Sequence, residues 1–228
     1  MKVAIDGPAG AGKSTVARAI AQERGFVYLD TGAMYRCVAL LALESGVDLS
    51  DEESLGELAE ALELAFAPSA GGGQRVLVSG RDVTDDIRTP RVDEAVSSVS
   101  SVPAVRASMV ALQRRLAGGA DVVAEGRDIG TVVFPDAEVK VFLTADARAR
   151  AHRRSVQNAE RFADLVDRPC EEDIYRRIVE RDRADSTRAT APLAAAPDAV
   201  HIDSSSLGVD EVVRQVNDLI DNARHQEA

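Results

Sequence analysis

Gly7-Pro8-Ala9-Gly10-Ala11-Gly12-Lys13-Ser14 decides the fold of this chain. It satisfies G-x-x-x-x-G-K-[ST] at every fixed position. Ahead of it, Lys2 to Ile5 is a run of strand length. Behind it, Thr15 to Gln22 reads as a helix with Val16, Ala19 and Ile20 on one side. Strand, glycine loop and helix are the context the motif needs. Loop amides and the helix N-terminus then converge on one point and favour anionic phosphate there. Lys13 is placed to reach the β/γ-phosphates as a point charge, the Ser14 hydroxyl to ligate Mg²⁺, and Thr15 to reach an inner phosphate. A dinucleotide loop does not fit. Gly10-x-Gly12-x-x lands on Thr15 where a third glycine belongs, and Lys13 suits a triphosphate better.

The rest of the chain supports a parallel α/β sheet. Strand-like runs recur at Phe26–Leu29, Asp121–Ala124, Glu138–Leu143 and Ala199–Ile202, alternating with helical stretches. Such short apolar strands are expected where both faces are buried, and ligands then sit at the strands' carboxyl ends. Helices are expected over Ala33–Ser45, from Ser50 as N-cap to Ala61, and from Thr89-Pro90 to Ala117 with a break at Val102-Pro103. Further helices are expected over Ala147–Gln157, from Asp167-Arg168-Pro169 onward, and over Val209–Ala223. Between them, Leu62–Phe66, Val76–Val78 and Arg81–Val83 are joined by glycine turns at Ala70–Gly73 and Ser79-Gly80. That pattern predicts a small antiparallel sheet inserted in the α/β chain. Its plainest use is edge decoration. The last helix carries Val209, Val212, Val213, Val216, Leu219 and Ile220 as a docking stripe. Arg224 to Ala228 is expected to fray.

Composition narrows the function. The 228 residues are 45% hydrophobic, enough for a sizeable core in one domain with appendages. With 27 Lys and Arg against 38 Asp and Glu, the formal charge of −11 argues against a broad grip on nucleic acid. Only 4% of residues are aromatic, which argues against base-stacking platforms. No apolar run approaches the ~18 residues of a membrane helix, and the N-terminus enters a strand at once, leaving no room for a signal peptide. Cys37 and Cys170 lack metal-ligand spacing, and histidines number three. The expectation is a reduced, cytoplasmic protein without zinc or structural disulfides.

Three polar constellations are expected just after predicted strands: Asp30–Arg36, Glu125–Thr131 and Glu180–Arg188. Each has a simpler explanation. Asp30-Thr31 reads equally well as a helix N-cap. Arg127-Asp128 reads as a local ion pair, and Arg181, Asp185 and Arg188 as an exposed pairing along one helix face. Together, after a phosphate loop, they gain weight as a binding site. An acceptor that carries its own phosphate must approach ATP against charge repulsion, and bidentate guanidinium groups neutralise it. Arg36, Arg106, Arg127, Arg181 and Arg188 are the candidates. The basic segment with Arg148, Arg150, Arg153 and Arg154 is a candidate lid over the donor phosphates, or else a solvated helix face.

With these residues in view, the chain resembles the bacterial cytidylate kinases of the nucleoside monophosphate kinase group. The resemblance rests on Asp6–Ser14, Leu29–Arg36, Asp86–Thr89, Gly126–Pro135, Ala151–Arg154, Arg181-Asp182 and Arg188–Leu193, and it spans nearly the whole chain. The Gly126-Arg-Asp-Ile-Gly-Thr-Val-Val-Phe-Pro135 stretch is far more specific than the phosphate loop. The resemblance implies a P-loop NTPase fold of α/β class: a five-stranded parallel sheet covered by helices, a small antiparallel β insert and a helical lid. It implies one kinase domain, with core about 1–34, 87–146 and 168–228, acceptor-binding insert about 35–86 and lid about 147–167. The implied reaction moves the γ-phosphoryl of ATP, with Mg²⁺, to CMP or dCMP, with UMP a poorer acceptor.

By position, Gly7 through Thr15 would hold ATP. Thr31, Arg36, Ser97, Arg106, Arg127, Asp128, Arg181, Asp185 and Arg188 would line the acceptor site. Lys13, Arg36 and Arg127 would be catalytic, with Arg36 and Arg127 on the acceptor phosphate and Asp185 with Arg181 at the ribose. Asp128 or Ser97 could accept from cytosine N4, and Arg106 or Arg188 could donate to N3 and O2. Uracil reverses that pattern and would leave buried groups unpaired. Glu125 stands where the family often has Asp, which could shift contact with Mg²⁺-bound water. The implied partners are ATP and CMP or dCMP, with no nucleic-acid polymer and no membrane, in a monomer. Competing readings are a P-loop kinase for UMP or shikimate, and a slow nucleotide-dependent switch.

Overall fold

The run ahead of the glycine loop becomes β1 (Lys2–Asp6), the central strand of a five-stranded sheet. The computed structural model describes residues 1–69, 73–161, 170–188 and 190–227. The chain divides into two compact units, Met1–Leu29 with Ala117–Ala228, and Asp30–Leu116.

The first unit holds α1 (Lys13–Arg24), β2 (Val27–Asp30, whose last residue opens the second unit), β6 (Val122–Gly126), β7 (Val139–Thr144), α6 (Ala147–Arg161), α7 (Glu171–Thr187), β8 (Val200–Asp203) and α8 (Val209–Glu227). The sheet order is β2-β6-β1-β7-β8. β1 runs parallel to both neighbours, with Ile5 opposite Glu125 on one side and Val141 on the other. β8 adds in parallel to β7. The expected strands are therefore present, their ends lying within two residues of the predicted ones.

One face of this sheet is covered by α1 and α8. Val16, Ala17, Ile20 and Ala21 from α1 join Val212, Val213, Val216 and Ile220 from α8 on Val3, Ile5, Val123, Val141, Leu143 and Ile202. Each fully buried aliphatic side chain contributes about 1.5–3 kcal/mol. The docking stripe on α8 is thus as expected, except that Val209 at its start is exposed. The expected fraying after Ala223 is corrected: α8 continues to Glu227. Arg224 explains part of this, because its guanidinium lies 5.3 Å from the Phe26 ring and pairs with Asp121 at 3.2 Å.

The second unit holds α2 (Thr31–Ser45), α3 (Glu52–Glu60), β3 (Leu64–Pro68), β4 (Gln74–Val78), β5 (Arg81–Asp82), α4 (Pro90–Ser101) and most of α5 (Pro103–Ala117). The expected antiparallel insert is present, in the order β3-β4-β5. The turn expected over Ala70–Gly73 lies mostly outside the described residues. The α4–α5 axis bends by 96° at Val102-Pro103, where proline cannot continue a helical hydrogen-bond ladder. One cap differs from expectation. Asp51, not Ser50, caps α3, its carboxylate accepting from the Ser54 amide at 3.1 Å. Ser50 instead turns back on Asp48. Among the described residues no single helix is long and apolar enough to cross a membrane.

Candidate active site

The loop between β1 and α1 is shaped by backbone demands only glycine meets. Gly7 has φ +147°, and a Cβ there would lie 2.0 Å from the Leu143 carbonyl oxygen on β7. Gly10 (φ +78°) lies against the Cβ of Arg150 at 3.2 Å from where its own would stand. Gly12 (φ +95°) precedes α1 with no side chain capping the helix. Its carbonyl accepts from the Thr15 and Val16 amides, which starts the ladder. An uncapped helix N-terminus behind a glycine turn is a ready anion site.

Lys13, the first residue of α1, is buried, and its ammonium donates to the Pro8 carbonyl at 2.8 Å. Burial pushes its pKa from 10.5 down to about 7, helped by the Arg127 guanidinium; Glu125 and Asp6 oppose the shift. Asp6, at the end of β1, is equally buried. Its two carboxylate oxygens accept from the Ile129 and Gly130 amides at 2.8 and 2.7 Å. Burial pushes its pKa up to about 6; the two amides hold it lower than burial alone would, and Asp128 adds repulsion. The amides come from a wide turn over Ile129–Val133, in which Val133 and Phe134 bond carbonyls five residues back. The specific Arg127–Pro135 stretch therefore folds onto the strand that launches the phosphate loop.

Two of the candidate acceptor-site arginines in this unit, Arg127 and Arg188, meet one carboxylate. Asp185, buried on α7, accepts from Arg127 Nε at 2.9 Å, and Arg188 Nη1 lies 4.0 Å from its other oxygen. Arg127 also donates to the Gly126 carbonyl at 3.3 Å, and Arg188 Nε to that of Ala191 at 2.6 Å. α7 persists to Thr187, so Arg181 and Asp185 do share a helix face. Arg181 is half-buried and close enough to bear on Lys13 electrostatically. Asp128 is buried beside Asp6. Glu125, buried at the end of β6, accepts from the Tyr28 hydroxyl at 2.9 Å.

The candidate lid arginines begin on α6. Arg150 is buried and reaches inward: Nε to Ala145 O at 2.9 Å, Nη1 to Ala9 O at 3.0 Å, and both Nη atoms to the Asp182 carboxylate at 3.2 and 2.6 Å. Arg153 donates to the Ser204 hydroxyl at 3.1 Å and to its carbonyl, and Ser204 Oγ lies 3.0 Å from the Ala11 carbonyl. Arg154 is half-buried on the same helix. The part of the lid range after Arg161, and the helix start expected at Asp167–Pro169, lie outside the described residues. The described α7 follows Cys170, with Glu171, Glu172 and Asp173 in its first turn as expected.

In the second unit, Asp30 does cap α2, accepting from the Ala33 amide at 2.9 Å, and Thr31 is buried as the helix's first residue. Arg36 donates to the Ile87 carbonyl at 3.1 Å and pairs with Asp93. Arg106 is buried on α5, its guanidinium 5.5 Å from the Tyr35 ring and bonded to the Ser100 carbonyl at 3.2 Å. Ser97 is half-buried on α4. Asp6, Asp182 and Ser204 escaped the sequence reading as site residues. Asp6, the carboxylate closing β1, and Asp182 each lie in a stretch that carries the family resemblance; Ser204 carries no local signal.

A lysine-bearing glycine loop at the carboxyl end of a parallel sheet, with a buried arginine–carboxylate cluster in the same unit, defines a P-loop phosphotransferase. The cytidylate kinase family profile matches residues 3–222. A cytidylate kinase of Pelotomaculum thermopropionicum is 53% identical over 214 residues, 94% of this chain and 93% of the relative. One of Limosilactobacillus fermentum is 47% identical over 226 residues, 99% and 98% of the two chains. An uncharacterized protein of Eubacterium ventriosum superposes with TM-score 0.51 at 13% identity, covering 97% and 98%, which bears on the fold alone. The chain belongs to the cytidylate kinase family.

Proposed function

We propose that the chain transfers the γ-phosphoryl of ATP to CMP or dCMP, giving ADP and CDP or dCDP. The observation that carries this is the guanidinium cluster on Asp185 in the same unit as Lys13: one fold unit offers cationic groups for two anions. Such transfer needs mostly alignment and charge stabilisation. Loop amides and Lys13 hold the donor phosphates. When an anion arrives, Lys13 gains a partner and its ammonium form is favoured, so the buried charge is released to the ligand. Arg127, oriented by Asp185, takes the acceptor phosphate; Arg36 is the second unit's candidate for phosphate binding. Asp185 and Arg181 serve the ribose. Thr31, Ser97, Arg106, Asp128 and Arg188 remain the candidates for the rest of the nucleotide. The acceptor phosphate oxygen is already nucleophilic, so no general base is required.

Mg²⁺ fits the donor set. The Ser14 hydroxyl and the Asp6 and Glu125 carboxylates are hard oxygens. Among the described residues no three His, Cys, Asp or Glu side chains gather tightly enough to hold a metal alone. The ion would therefore come with the ATP phosphates and water, supplying charge neutralisation between donor and acceptor. The same reading places the enzyme in pyrimidine nucleotide metabolism, in the cytoplasm, as a monomer. A coupled ADP-release assay across CMP, dCMP, UMP, AMP and shikimate tests it. CMP and dCMP should lead. Activity on UMP or shikimate alone refutes the acceptor, and turnover without acceptor indicates a switch.

A further inference from the structure

We infer that Arg150 and Asp182 form a positioning pair that couples the donor phosphate loop to α7, so that filling the loop orders the helix that binds the acceptor. This rests on the kinase reading for what α7 binds, but its geometry does not. Arg150 is 5% exposed and joins three segments that are distant in sequence. Its Nη1 holds the Ala9 carbonyl within the glycine loop. Its Nε holds Ala145 at the end of β7. Its two terminal nitrogens form a fork on Asp182 of α7. Gly10 is part of the device, since a side chain there would meet Arg150 Cβ at 3.2 Å. A bidentate guanidinium–carboxylate pair fixes orientation as well as distance.

What α7 carries gives the pair its consequence. Asp182 sits one residue from Arg181 and one turn from Asp185. Asp185 orients Arg127 at 2.9 Å. α7 is therefore held at two carboxylates on successive turns, one tied to the donor loop and one to the acceptor arginine. Besides this fork, α6 and α7 share a small apolar cluster, Ala151, Ile174 and Ile178 with Ala147 and Tyr175, two exposed ion pairs, Arg148–Glu172 and His152–Glu171, and the Arg148 guanidinium over the Tyr175 ring. Exposed pairs of that kind contribute little, whereas the Arg150–Asp182 fork is largely shielded from solvent and fixes the helix's placement more firmly. An ordered loop presents a fixed Ala9 carbonyl to Arg150, and Arg150 passes that constraint to Asp182. Two sites that share one ordering step bind cooperatively and reciprocally.

The test uses the full chain and two readouts. Hydrogen exchange of the α7 amides is measured with and without a non-hydrolysable ATP analogue and Mg²⁺. CMP affinity is measured calorimetrically under the same two conditions. In the native chain the analogue should slow α7 exchange and tighten CMP binding at least about fivefold. In Asp182→Asn, which keeps the side-chain shape but breaks the charged fork, the analogue should still bind. It should leave α7 exchange unchanged, and the CMP coupling should fall below about twofold. Arg150→Lys should behave alike, and replaces Asp182→Asn if that variant does not fold. Coupling and α7 protection retained in the variants, or absent from the native chain, overturn the inference. Variant-sensitive α7 protection in a chain that does not bind CMP upholds the brace and refutes the acceptor instead.

Discussion

Replacing Lys13 by Met should make the nucleotide-free protein more stable at pH 6 while abolishing transfer. Lys13 is buried, and its pKa falls from 10.5 to about 7. At 1.36 kcal/mol per pH unit, that depression sets about 5 kcal/mol against the ammonium form in the folded state. The sign follows from proton counting. Between pH 7 and 10.5 the unfolded chain binds the extra proton, so stability rises with pH across that window. Below pH 7 both states are protonated and the full cost applies. Methionine is of similar length, carries no charge and removes this cost. It also forfeits the bond to the Pro8 carbonyl at 2.8 Å, about 1.5–3 kcal/mol for a charged donor. Loss of Lys13 further removes a charge that favours ionised Asp6, which trims the gain above pH 6. The net expectation is a gain of about 2–4 kcal/mol at pH 6 that vanishes by pH 10. The chain has no tryptophan, so urea unfolding is best followed by far-ultraviolet circular dichroism. The rate of ADP release should drop at least about 100-fold. A variant less stable than the native chain at pH 6, or a gap unchanged from pH 6 to 10, would refute the claim that the loop stores an uncompensated charge for its ligand.

Other substitutions probe the remaining parts. Gly7→Ala should cost at least about 2 kcal/mol and lose ATP binding, because its Cβ would strike the Leu143 carbonyl at 2.0 Å. Gly46→Ala, at φ +67° with open space around it, should cost only about 1–2 kcal/mol and spare catalysis. Equal losses of stability and activity in the two would show that the clash is irrelevant. Asp185→Ala should raise the KM for CMP at least about tenfold and leave that for ATP nearly unchanged, since it frees Arg127 from its orienting partner and strips a contact at the sugar. Unchanged CMP kinetics would remove Asp185 from the site.

Much of this was legible in local patterns. The strand–loop–helix around Lys13 follows from glycines at positions where φ is positive and from apolar runs on either side. Asp30 as a cap and the acidic first turn of α7 were readable for the same reason: each acts on backbone groups within a few residues. Where local signals competed, the reading slipped. Ser50 and Asp51 are both good caps, and the choice fell to Asp51 because Ser50 was engaged by Asp48.

The chain's own order of residues determined which groups are chemically available: a lysine in a glycine loop, arginines after strand ends, a carboxylate one turn from an arginine. The tertiary structure alone decided their partners. Nothing near Arg150 in sequence indicates that it turns inward to Ala9 and Asp182, 141 and 32 positions away. A buried guanidinium must satisfy its donors, and which acceptors are within reach is set by how the helices stack on the sheet.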